Sequence, residues 1–140
     1  MASIPPLAAQ ADLNILQLAW LGDAVWELHQ RLQGCRVPGR PSDLHNAVVA
    51  KVRAEAQACA LDRLMPHLRP GEQLLVRRGR NRAGRGARHQ AASLHGQATG
   101  FETMVGWLFL NDPRRLAELL DHLDDITPLP IPSDHGLISE

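Results

Sequence analysis

The sequence predicts an all-α fold, a single helical domain with enough apolar helix faces to pair with a second copy of itself. Three observations predict it. Apolar residues recur at three-to-four spacing through most of the chain, no stretch alternates as a half-buried strand does, and helix-start residues precede the periodic segments. With 140 residues and 44% hydrophobic composition there is material for one core and little for a second folded module.

The elements follow in order. From Ala8 to Leu32, residues Leu13, Leu16, Trp20, Leu21, Ala24, Val25, Leu28 and Leu32 fall at helical spacing, giving one long or two abutting helices. Gly34 to Gly39 breaks the pattern, and Ser42 is placed to cap a long second helix through about Leu64, with Leu44, Val48, Val52 and Cys59 on one stripe. Pro70 suits the first turn of a third helix from Glu72 to about Arg80. The stretch Arg77 to His89 holds six arginines, three glycines and no acid, which predicts a loop. A fourth helix is expected from about His89 to Leu110. Asp112-Pro113 reads as N-cap and first-turn proline of a fifth, to about Asp125. The helical domain is thus residues 1–125, and residues 126–140, with Pro128, Pro130 and Pro132, form a tail without a packed core. Trp20, Trp26 and Trp107 are expected mostly in the core, with room for one at a subunit interface.

The net charge of zero hides an asymmetry: 13 Lys+Arg against 8 Asp+Glu before Asn111, and 2 against 7 after it. A basic body predicts a polyanionic partner. Cys35 and Cys59 form no C-x-x-C or disulfide framework, which predicts reduced thiols and a cytoplasmic protein. The longest apolar run, Met104 to Leu110, is interrupted by Gly106 and too short for a membrane span. Gly79 to Gly86 resembles a phosphate-binding Walker loop but lacks its Lys and Ser/Thr and follows no strand, so no nucleotide cofactor is expected.

Two apolar helices each carry an acid, Asp23 in Leu18 to Leu28 and Glu102 in Ala98 to Leu110. A carboxylate among Trp, Leu and Val needs a partner, and a shared hard cation such as Mg²⁺ serves two at once. The plainer alternatives are a mid-helix ion pair for Asp23 and a helix-dipole acid for Glu102. Glu27, one turn after Asp23, is either an outer contact of such a cation or the partner of Arg31 four residues on. The arginines predict contact with a nucleic-acid backbone, and the lack of interleaved aromatics favours a duplex over unpaired bases. Candidate contacts are Arg78, Arg80, Asn81, Arg82, Arg85 and Arg88, with Lys51 and His45 as further ones.

These residues resemble a known family. Leu21-Gly-Asp-Ala-Val25 is similar to the signature helix of ribonuclease III, and Phe101-Glu102 to Leu110 to its second acidic helix. The nearer resemblance is to Mini-ribonuclease III, which lacks the double-stranded-RNA-binding domain. It extends through Leu21 to Glu27, Leu44-His45, Ala54 to Ala58, Arg77 to Asn81 and Thr99 to Glu102. The resemblance implies a ribonuclease III-type endonuclease fold, a homodimer, and Mg²⁺-dependent cleavage of double-stranded RNA (Mn²⁺ as a substitute) leaving 5′-phosphate ends. It also implies maturation of large-subunit (23S) ribosomal RNA precursor. By position, Asp23 and Glu102 match the catalytic, metal-holding acids, with Glu27 and Thr99 as outer positions. The larger enzyme's other two acids fall on Ala19 and Thr99, so half of its acidic shell is absent, as in Mini-ribonuclease III. The competing reading is a non-catalytic RNA-binding or ribosome-assembly factor on the same fold. A helical nucleotide pyrophosphohydrolase ranks last, because its E-x-x-E and E-x-x-D clusters are missing.

Overall fold

The computed structural model describes residues 13–36, 38–52, 54–83 and 90–126. Among them there is no strand. The helices are α1 (Ile15–Gly34), α2 (Pro41–Val52), α3 (Ala54–Leu64), α4 (Pro70–Ala83), α5 (Gln90–Asn111) and α6 (Pro113–Ile126), with a single 3-10 turn, Met65–His67, between α3 and α4.

Local chemistry sets most boundaries. Asn14 and Gln17 form a reciprocal capping box: the Gln17 backbone N–H donates to Asn14 Oδ1 at 2.9 Å, and the Asn14 N–H to Gln17 Oε1 at 3.0 Å. That box starts α1 at Ile15; the part of the expected helical stretch from Ala8 to Asp12 lies outside the described residues, as do all of residues 1–12. The Leu44 N–H donates to Arg40 C=O at 2.9 Å, so α2 opens with Pro41 as its first residue, and Ser42 sits inside the first turn instead of capping it. The expected single second helix is described as α2 and α3, on either side of Arg53, which is outside the described residues. Asp112 caps α6 as predicted, its Oδ1 accepting from the Arg115 N–H at 3.2 Å.

Helix α5 is the axis of the domain and packs against α1, α3, α4 and α6. Phe101, Met104, Val105 and Leu108 are at most 1% exposed and meet Val25 and Trp26 of α1, Leu61 and Leu64 of α3, and Val76 of α4. Leu116, Leu119, Leu120 and Leu123 line one face of α6 at helical spacing and close the same core. Each such burial is worth roughly 1.5–3 kcal/mol. The Trp26 and Phe101 rings meet edge-on, centroids 5.1 Å apart, tying α1 to α5.

Glycines let α5 approach two neighbours at backbone distance. A Cβ on Gly22 would coincide with the Glu102 carbonyl oxygen, and one on Gly106 with that of Leu18, so α1 and α5 cross with nothing between them. On another side of α5, a Cβ on Gly100 would lie 2.6 Å from Val76 O, and one on Gly79 2.7 Å from Gly100 Cα. Gly79 therefore serves close packing of α4, and the helix continues to Ala83 where a loop was expected from Arg77.

A buried ion pair fastens α6 to α4. Glu72 is 5% exposed; Arg115 donates through Nε to its Oε2 at 2.8 Å and through Nη2 to its Oε1 at 3.0 Å. Arg115 Nη2 also donates to His67 C=O at 2.7 Å, and the Arg69 N–H to Glu72 Oε1 at 2.8 Å. Burial pushes the Glu72 carboxyl up, but the Arg115 guanidinium and Arg69 N–H outweigh it and hold the group below the usual carboxylate range. At the end of α1, the Gln33 amide donates to Asp124 Oδ2 at 2.8 Å.

Several expectations need correcting. Cys59 is exposed, and the buried positions of α3 are Gln57, Ala58, Ala60, Leu61 and Leu64. Of the three tryptophans only Trp26 is in the core; Trp20 is 80% exposed and Trp107 38%. The predicted stripe on α1 is displaced: Leu18, Ala19, Gly22, Val25 and Trp26 face inward, while Leu16, Trp20, Ala24, Leu28 and Leu32 form an outward apolar ridge. The Pro-rich tail lies outside the described residues apart from Ile126, the last residue of α6.

Candidate active site

The α1–α5 crossing brings the two acids together. Gly22 precedes Asp23 and contacts the backbone of Glu102 itself, so backbone contact sets how the acids are placed. Asp23 is exposed and Glu102 half-buried. Burial first, and then the negative charge of Asp23, push the Glu102 carboxyl up to about 8. Asp23 is raised by burial and by the charge of Glu27, while a hydrogen bond with the Gln57 side chain opposes the rise. Two acids, one of which raises the other's carboxyl in a partly dry site, make a pair that a cation would favour in its ionised form.

The other expected residues are distributed as follows. Glu27 Oε1 accepts from Arg31 Nη2 at 2.9 Å across one exposed helical turn, the plainer of its two readings. Thr99 is buried and donates its hydroxyl to His95 C=O at 2.9 Å within its own helix. Arg78, Arg80, Asn81 and Arg82 are exposed on α4. Arg78, Asn81 and Arg82, at i, i+3 and i+4, converge with Ile15 on an open cavity of about 210 Å³. Arg80 lies elsewhere, its Cγ 3.0 Å from where a Gly100 Cβ would be. The cavity stands at the start of α1, and Asp23 lies eight residues along that helix, about 12 Å of rise. His45 is exposed on α2; Lys51 belongs to the same helix, and Arg85 and Arg88 are outside the described residues.

Sequence reasoning missed Gln57, whose signal was a polar residue at the start of the Gln57, Leu61, Leu64 stripe. It also missed the Glu72–Arg115 pair, for which a separation of 43 positions leaves no local signal.

Residues 16–113 match the Ribonuclease III domain family. A Mini-ribonuclease 3 of Synechococcus sp. is 47% identical over 116 residues, covering 83% of this chain and 84% of that protein. The chain belongs to the Mini-ribonuclease 3 branch of the ribonuclease III family. A Mini-ribonuclease 3 of Gloeobacter violaceus is 46% identical over 114 residues, covering 81% of this chain and 84% of its own. The crystal structure of a Fusobacterium nucleatum protein matches with a TM-score of 0.69 at 25% identity, over 82% of this chain and 92% of that one. The protein is thus a ribonuclease III-type endoribonuclease, of a family that generally uses a divalent metal. Among the described residues, no third His, Cys, Asp or Glu joins Asp23 and Glu102 in a metal-holding group. The donor set still fits a hard divalent ion, which is commonly held by one or two carboxylates and completed by water and phosphate oxygens. No described helix is long and apolar enough to cross a membrane.

Proposed function

We propose that this endoribonuclease cuts double-stranded RNA with Asp23 and Glu102 as its catalytic, cation-holding residues, and that its substrate is a stem of large-subunit (23S) ribosomal RNA precursor. The observation that carries this reading is the carboxylate pair at the glycine crossing of α1 and α5, in a chain of this family. The cation is Mg²⁺, with Mn²⁺ as a substitute, and when bound it supplies Lewis acidity to the scissile phosphodiester. Glu102 first gives up the proton that its surroundings favour, and Asp23 faces it with a second negative charge. Arg78, Asn81 and Arg82 bind backbone phosphates in the cavity beside the start of α1, which sets how the duplex lies across α1. Arg80, Arg85, Arg88, Lys51 and His45 complete the proposed RNA contacts, and Glu27 and Thr99 border the carboxylates. Products carry 5′-phosphate and 3′-hydroxyl ends.

The protein works as a cytoplasmic homodimer, each copy cutting one strand. Supporting this is the ridge of Leu16, Trp20 and Leu28 on α1, 47%, 80% and 39% exposed, which a second copy would cover.

The test is cleavage of a long RNA duplex in Mg²⁺ by the wild type, Asp23→Asn and Glu102→Gln. Cutting by the wild type alone, with both variants folded and RNA-bound, supports the reading. Undiminished cutting by either variant, or products ending in 2′,3′-cyclic phosphate, would refute it.

A further inference from the structure

Away from the carboxylate pair, two imidazoles meet where α6 passes the 3-10 turn that precedes α4. The His67 and His122 rings have centroids 3.9 Å apart, with their planes inclined by 60°. Nε2 of His122 is buried and has no hydrogen-bond partner among the described residues. A buried ring nitrogen left without a partner forfeits its hydrogen bond to water, and an ion is one of the few things that can repay it.

The surroundings fix one ring and free the other. Arg115 Nη2 donates to His67 C=O at 2.7 Å and Pro66 stiffens the turn, so the backbone of His67 is fastened while its side chain is exposed. His122 is half-buried on α6, next to the core residue Leu123. An ion about 2.1 Å from one nitrogen of each ring would set the centroids roughly 5 Å apart, so His67 swings outward by about 1 Å to admit it.

A third ligand stands on the same helix. Arg115, Glu118 and His122 fall at i, i+3 and i+7, on one face of α6. Glu118 lies one turn before His122, the i, i+4 spacing at which a helix offers two side chains to one ion. As the side chains stand, no three His, Cys, Asp or Glu are grouped among the described residues, and Glu118 Oε2 accepts from Arg115 Nη1 at 3.2 Å. Glu118 is exposed and can turn, and Arg115 keeps Glu72 and His67 C=O without it. Glu72 already balances Arg115, so Glu118 leaves an excess negative charge beside the imidazoles, which favours a cation.

We propose that His67 and His122, joined by Glu118, bind a divalent transition-metal ion of the zinc class, with water as the fourth ligand. Imidazole suits Zn²⁺, Cu²⁺ and Ni²⁺, whereas Mg²⁺ takes oxygen, so this site and the carboxylate pair select different ions. The ion fastens α6 to the turn before α4, beside the Glu72–Arg115 pair that joins the same elements. It adds no step to RNA cleavage, and the site stands independently of the roles of Asp23 and Glu102.

The experiment titrates Zn²⁺ into the full chain in excess Mg²⁺ by calorimetry, and records thermal melts with and without Zn²⁺. The proteins are wild type, His67→Asn, His122→Asn, Glu118→Gln, Asp23→Asn, and Cys35→Ser combined with Cys59→Ser, because both thiols are exposed and could take zinc themselves. Wild type, Asp23→Asn and the serine protein should bind Zn²⁺ equally and melt several degrees higher with it. His67→Asn and His122→Asn should lose both effects, and Glu118→Gln should bind more weakly. His67 is exposed and is held through its backbone, so His67→Asn decides the matter should His122→Asn fail to fold. Wild-type Zn²⁺ affinity in His67→Asn, binding that vanishes with the two cysteines, or no binding by the wild type would each overturn the proposal.

Discussion

Replacing Glu102 by glutamine should stabilise the cation-free protein in alkaline solution and do almost nothing in acid. The carboxyl moves from 4.5 to about 8 on folding because it is desolvated and faces Asp23. A raised folded value means that the folded state holds the proton more tightly. Stability is therefore greatest below 4.5 and falls as pH rises towards about 8, where the folded carboxyl also ionises. At 1.36 kcal/mol per pH unit the full penalty would be about 5 kcal/mol, and screening of a half-buried group by water reduces this to about 2 kcal/mol. Glutamine keeps the shape and carries no charge. In chelator, urea unfolding of the wild type and Glu102→Gln should thus differ by about 2 kcal/mol near pH 9 and by a few tenths near pH 4.5. Other titrating groups appear in both proteins and cancel in the difference, and the repulsion from Asp23 is already contained in the Glu102 shift. Saturating Mg²⁺ at the higher pH should stabilise the wild type and not the variant. An advantage of glutamine that is constant across pH, or that grows towards acid, would refute the picture of two charges forced together.

Four further outcomes follow from the packing and the basic face. Gly22→Ala should destabilise the fold by roughly 2 kcal/mol or more and abolish cleavage, since the added methyl meets the Glu102 carbonyl and outweighs the helix-propensity gain; calorimetry and the duplex assay check both. Arg115→Met should cost about 3–5 kcal/mol at neutral pH by stranding the buried Glu72 carboxylate, and less in acid, because a group with a lowered folded value stabilises only above its unfolded one. Urea melts at the two pH values measure it. Arg78→Ala with Arg82→Ala should weaken duplex binding and reduce its log–log salt slope by about 2, read by titration across salt concentrations. Trp20→Asp should yield a folded monomer by sedimentation; a dimer of wild-type affinity would remove the α1 ridge from the interface.

Helical periodicity, the Asp112-Pro113 start and the two lone acids were legible because each rests on neighbours in sequence. The facing of α1 was not: its apolar residues cover more than one side of the helix, and only tertiary packing shows that Leu18, Val25 and Trp26 face inward while Trp20 faces out. Gly79 misled for a related reason. In a run of arginines a glycine reads as a breaker, yet here it admits Gly100 of α5, and α4 continues past it. Asp23 and Glu102 could be chosen as a pair from their settings, but their facing depends on Gly22 and Gly106, whose close approach no local pattern announces.

The crossing of Gly22 over Glu102 also bears on how the site keeps its dimensions. Main chain touches main chain there, so neither helix can slide along the other by a residue without driving a side chain into a peptide group. The span between the acids behaves like the gap of a calliper whose jaws are clamped at the pivot. Changes elsewhere in the core alter how firmly the instrument is mounted and leave its setting alone. On the proposed reading of Asp23 and Glu102, a chain built this way needs no ion to bring the two helices together, and one divalent ion would replace another without the helices repacking.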